Sequence, residues 1–147
     1  MMPRLRRLAA GQSAVELALI VPALVILLVG VCDFARLFYV SIGVHSAARS
    51  GAQYGAQSVI TAADITGMRN SAKLDGSNIS GLTVTAKECT CQTSTTVTKC
   101  GTGYCSNAPQ STYVEVDTSA TFTTILNYPG IPSTTTLTSA SILQVEQ

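Results

Sequence analysis

The feature that most restricts this chain is a run of 18 residues, Ala14–Val31, in which Glu16 carries the only charge. As a helix at ~1.5 Å per residue the run spans ~27 Å, close to the ~30 Å hydrocarbon core of a bilayer. A membrane-spanning segment is therefore predicted over about residues 14–32. Arg4, Arg6 and Arg7 precede the run with no acid among them, whereas Asp33 and Arg36 follow it. That asymmetry predicts a cytoplasmic N-terminus, with the C-terminal bulk carried across. A bacterial inner membrane with a periplasmic domain is the setting this implies.

Three kinds of N-terminal signal compete. Cleaved export needs a small-x-small site after the apolar region, and Gly30-Val31-Cys32-Asp33-Phe34-Ala35 supplies a poor one. The lipoprotein form of that signal needs a small residue before Cys32, where Val31 stands. A plain signal anchor accounts for the arginines and the apolar run but not for Glu16. An acid at the centre of a membrane helix costs ~2.5–3.5 kcal/mol on insertion scales, and less near an interface.

The third kind makes Glu16 part of a motif. Gly11-Gln12-Ser13-Ala14-Val15-Glu16 sets a Gly at the junction of basic leader and apolar run, with the acid five residues on. Pro22 lies within the run, and Asp33-Phe34-Ala35-Arg36 marks its exit. Over about Gly11–Gln53 the sequence resembles the TadE-like family of pilin-like proteins, although Leu17 stands where Phe is common. The general layout of the rest suits TadE-like and TadF-like pilins alike.

The resemblance implies a leader, residues 1–11, cut after Gly11 by a prepilin peptidase on the cytoplasmic side. The cut would remove three arginines, leave six basic side chains against eight acidic ones, and create a new amine on Gln12. The resemblance further implies that the Glu16 carboxylate pairs with that amine on a neighbouring subunit. Such pairing satisfies an otherwise costly acid and sets axial register. Implied partners are the prepilin peptidase, a major Flp-type pilin, a TadF-like minor pilin, the inner-membrane assembly platform and membrane lipid.

Beyond the membrane, Phe34, Leu37, Phe38 and Ile42 recur at helical spacing, predicting one helix over 12–57 despite Pro22. Gly43, Ala47, Gly51 and Gly55 form a row of small residues four apart. Such a row lets another element approach closely, either the protein's own sheet or another subunit. Residues 58–147 are expected to form a periplasmic α+β domain. Thr61-Ala62-Ala63-Asp64 resembles a capping box that opens a second helix over 61–75, stopped by Gly76. Of the 72 residues from Gly76 on, 26 are Ser or Thr, which suits water-facing strands. Leu82, Val84 and Ala86 alternate with polar residues, as do Val114, Val116, Thr118, Ala120 and Phe122, and residues 134–145 form a last β-branched run. The fold class is therefore α+β, pilin-like: a long N-terminal transmembrane helix, a short helix and a small antiparallel sheet of three or four strands.

Cys89, Cys91, Cys100 and Cys105 fall within the expected periplasmic part, where thiols oxidise. Two disulfides are expected, with Cys89 and Cys91 each pairing to Cys100 or Cys105 and the connectivity open. A four-thiolate zinc site fits the C-x-C spacing poorly, and Cys32 reads as a buried small apolar residue.

Functional classes are narrowed further by what is sparse. One His and no Trp leave no multi-imidazole metal site, and a net charge of +1 argues against nucleic acid as the main partner. Glu115 and Asp117 share one strand face, which reads as solvated rather than as an acid–base pair. No catalytic constellation, metal site or cofactor motif is visible, so no enzyme activity is expected. The leading expectation is a minor pilin that assists assembly or priming of an adhesive Tad/Flp-type pilus, with incorporation into the extracellular filament a further step. The alternative is an uncleaved single-pass anchor bearing a periplasmic binding or scaffold domain.

Overall fold

A computed structural model describes residues 5–92, 110–127 and 130–146. The long helix α1 runs Leu5–Ala56, 52 residues and ~78 Å, without a break at Pro22. It starts earlier than the expected residue 12 and stops one residue before Gln57.

What stops it is the chemistry of the next turn. Ser58 is fully extended and accepts a bond from the Thr61 amide, while Thr61 Oγ1 accepts from the Ser58 amide at 2.9 Å. This reciprocal box opens a one-turn helix, α2 (Val59–Ala63), three residues before the expected box. The expected single helix over 61–75 is corrected to two. Asp64 leaves helical geometry, and its Oδ1 accepts from Gly67 N at 2.8 Å to start α3 (Ile65–Asp75). An aspartate side chain competes for nearby amides, so it terminates one helix and caps the next.

Three strands follow: β1 (Thr83–Gln92), β2 (Gln110–Thr123) and β3 (Thr134–Gln144). They form an antiparallel sheet in the order β1-β2-β3, with Val84 opposite Thr118 and Thr118 opposite Ser139. Every second residue of β2 from Val114 to Phe122 is buried, as the alternation predicts. This face meets α1 and α3. The main core joins Ala52 of α1 and Met68 and Ala72 of α3 to Val84, Ala86, Val114 and Val116. A smaller cluster of Val44, Ile79 and Ala120 lies nearer the membrane segment.

The face of α1 that meets the sheet is the one bearing the small residues, the first of the two neighbours expected for that row. Phe34, Phe38 and Ile42 of the apolar stripe are exposed, at 60%, 52% and 67%, while Ala47, Ala48 and Ala52 are fully buried. The sheet comes too close for bulky side chains, so the small face goes inward and the large apolar residues stay outside. Thr118, an inward polar residue, donates its hydroxyl to the Val44 carbonyl at 2.8 Å. That bond removes the cost of burying the hydroxyl and ties mid-β2 to mid-α1. The C-terminal strand end is fastened by Glu146 N donating to the Ala56 carbonyl at 3.0 Å.

Candidate functional site

Two regions of α1 carry the residues of interest, and the first is its N-terminal part. Gly11, Gln12 and Glu16 all lie within the helix and are exposed. A Cβ built at Gly11 meets nothing within 4 Å. Among the described residues the ion pairs are Arg36–Asp33 and Lys87–Asp117, neither of which reaches Glu16. The helix over Gly11–Ala56 is long and apolar enough to cross a membrane, and its most apolar window has none of its residues buried within the protein.

The second region is the joint where the apolar run ends. Asp33 is 5% exposed and its carboxylate accepts the Ile125 amide through both oxygens, at 2.9 and 3.1 Å. Arg36, one turn on, donates to Asp33 Oδ1 at 3.2 Å, and its guanidinium lies 5.5 Å from the centre of the Phe122 ring. Helix exit, end of β2 and the following loop are thus held by one carboxylate. Sequence reading saw Asp33 only as part of a motif. The signal available was an acid placed at the end of a membrane run with a basic residue at i+3, a charge that must find donors if it is buried.

Further along, the row of small residues meets the protein's own core. Ala47 is fully buried, and a Cβ at Gly51 would stand 2.8 Å from the Met68 carbonyl oxygen and 3.1 Å from Val116 Cγ1. Gly55 abuts Met68 and Val114, and Gly43 abuts Ile79. Beside the row, His45 Nδ1 lies 3.1 Å from Ser139 Oγ.

At the far end of α1 the Tyr54 hydroxyl donates to Asp64 Oδ2 at 3.0 Å. The Gly67 amide first, and then Tyr54, hold the Asp64 carboxyl below the usual carboxylate range. The same bond to Asp64, reinforced by its charge, raises the Tyr54 phenol. Stability from Asp64 is therefore fully present above about pH 4 and lost as pH falls through its lowered value. Stability from Tyr54 is present below about pH 10 and lost as pH rises through its elevated one. Asp64→Asn should flatten the acid limb of a thermal-melting profile against pH, and Tyr54→Phe the alkaline limb.

Two further expectations need correction. Glu115 is not on a solvated face: it is 1% exposed, on the central strand between Lys87 of β1 and Ile142 of β3. Asp117 stays partly exposed, 3.7 Å from Lys87 Nζ. Cys32 is a free, exposed thiol rather than a buried one, because it projects from the face of α1 that no other element covers. Cys89 and Cys91 lie on β1, whereas Cys100 and Cys105 lie outside the described residues, and with them the disulfide connectivity. Among the described residues no group of three or more His, Cys, Asp or Glu could hold a metal ion.

A long apolar N-terminal helix continuing into short helices and a three-stranded antiparallel sheet defines an α+β, pilin-like protein on a single-pass anchor. The family model for TadE-like protein matches residues 11–53, the stretch that carries Gly11, Glu16 and Asp33. That family is one of structural, Tad pilus-associated, minor-pilin-like proteins. No curated protein and no solved structure matches the chain significantly.

Proposed function

We propose that the chain is a minor pilin of a Tad/Flp-type adhesive pilus, made as a precursor, cut after Gly11 by a prepilin peptidase, and active in assembling or priming the filament. The observation that carries this reading is the match over residues 11–53. It begins at Gly11 and includes Glu16 on an exposed stretch of helix. Residues 1–11 are then the leader, residues 12–57 the long helix, and residues 58–147 a periplasmic domain whose cysteines between 89 and 105 form disulfides. That Cys89 does not stand as a free thiol supports the last point. Partners on this reading are the peptidase, the major pilin, a TadF-like pilin and the inner-membrane platform.

Mass analysis of the N-terminus, after expression beside a prepilin peptidase, tests the reading. A mature chain beginning at Gln12 is expected; an intact leader overturns it and leaves an uncleaved anchor with a binding or scaffold domain. Gly11→Ala should abolish the cut without unfolding the domain, since nothing crowds that position. Glu16→Ala should still be cut yet lose co-purification with partner pilins. Unchanged co-purification would remove the pairing role of Glu16.

A further inference from the structure

Among the described residues between β2 and β3, three large apolar side chains are exposed: Ile125 at 56%, Leu126 at 41% and Ile131 at 59%. The base of this loop is closed by Thr124 N donating to the Ser133 carbonyl at 2.9 Å. Its position along α1 is set by the bonds from the Ile125 amide to Asp33. Ile131 and Pro132 also line an apolar cavity of about 410 Å³ together with Gly30, Phe34 and Leu37 of the helix.

These contacts fix the depth of the loop. Counting from Ala14, where the apolar run begins, Asp33 lies ~30 Å along the helix, one hydrocarbon thickness. Gly30 lies ~4.5 Å before Asp33, hence inside the apolar layer, and Ile131 shares a cavity with it. Past Asp33, exposed Arg36 and Tyr39 are residue types that sit at the headgroup level of a membrane helix. Ile125, Leu126 and Ile131 thus stand near the acyl–headgroup boundary, the depth at which amphipathic surface segments lodge.

We propose that the β2–β3 loop is a second membrane contact, with Ile125, Leu126 and Ile131 seated in the leaflet from which α1 emerges. Lipid fills the apolar cavity beside Gly30. The occupant is lipid rather than protein because Gly30, which lines the cavity, belongs to the apolar run itself, and this rests on reading α1 as a membrane anchor. One helix alone is free to tilt and rotate. A helix plus a lodged loop holds the sheet at a set height and orientation above the bilayer.

The chain has no Trp, so a single introduced one reports its own surroundings. Full-length Ile131→Trp, Leu126→Trp, Leu24→Trp and Ile60→Trp would be reconstituted in phosphatidylcholine vesicles brominated near the headgroup or deep in the acyl chain. The expected result is blue-shifted emission from Ile131→Trp and Leu126→Trp, quenched more by the shallow bromines. Leu24→Trp should be quenched by the deep ones, and Ile60→Trp, at an 84% exposed site on the far side of the domain, by neither. Loop variants behaving like Ile60→Trp while Leu24→Trp is quenched would overturn the loop contact and leave the anchor standing. No quenching of Leu24→Trp would overturn the anchor itself. Loop emission that is blue-shifted but unquenched would mean protein, such as a second copy, covers the loop, and would also overturn the proposal. Two loop positions ensure that misfolding of one variant leaves the other to decide.

Discussion

Asp33→Ala should release the β2–β3 end of the sheet from the helix and lower the stability of the domain by about 2–4 kcal/mol. The size follows from what is lost. Hydrogen bonds to a charged group contribute ~1.5–3 kcal/mol, and removing the acceptor leaves a donor to be re-solvated. Here one carboxylate holds the Ile125 amide with both oxygens and Arg36 with one. Arg36 also loses the partner that holds it near Phe122. Asp33→Asn keeps one acceptor oxygen and should fall between the wild type and the alanine variant. Amide exchange reads the effect locally, since the Ile125 N–H should lose protection before the amides of central β2. Equal protection at Ile125 in wild type and Asp33→Ala would remove the carboxylate from the joint.

The second large effect is expected at Gly51. In an isolated helix Gly→Ala gains ~1 kcal/mol of propensity. In this fold the added methyl would stand 2.8 Å from the Met68 carbonyl oxygen, with Ala72 Cβ and Val116 Cγ1 each at 3.1 Å. A backbone carbonyl inside a helix cannot swing aside as a flexible side chain can. Overpacking of this kind costs ~1–3 kcal/mol, occasionally more, and outweighs the propensity gain. Gly51→Ala should therefore destabilise the domain in thermal or denaturant unfolding, and Gly51→Leu should prevent α3 and β2 from docking. Gly11→Ala is the internal comparison, with open space around it. A Gly51→Ala variant more stable than wild type would show that α1 and α3 stand further apart than described.

The two effects bear on different parts of the proposed role. Asp33 joins the membrane helix to the sheet, so its loss should leave a folded outer domain that is no longer fixed at the bilayer surface. Gly51 lies in the main core, and its loss should affect folding as a whole. Neither change touches Gly11 or Glu16. If the proposed cut after Gly11 occurs, it should therefore continue in Asp33→Ala.

Periodicity made much of the fold legible from sequence. An 18-residue apolar run has few ways to exist in water, and Val114–Phe122 alternate so regularly that only a strand with one covered face fits them. The family match over residues 11–53 falls on the same residues whose spacing suggested it. Less legible were features that depend on what comes to meet a residue. The row Gly43, Ala47, Gly51 and Gly55 was legible as a face of close approach, but its spacing left open whether the protein's own sheet or another subunit meets it. Asp64 looked like part of a capping box within one helix, but it ends α2 and caps α3.

By itself, then, the sequence determined the long apolar helix, the antiparallel strands and the α+β class, because each depends on residue periods of 3.6 or 2 that neighbours along the chain already express. Tertiary structure alone decided that Asp33 is buried under the β2–β3 loop, that Glu115 is enclosed and that Cys32 is left outside. Those outcomes turn on contacts between residues as far apart as Asp33 and Ile125, 92 positions along the chain. Burial and charge satisfaction at such positions are properties of a surface assembled from several elements, and no local pattern encodes them.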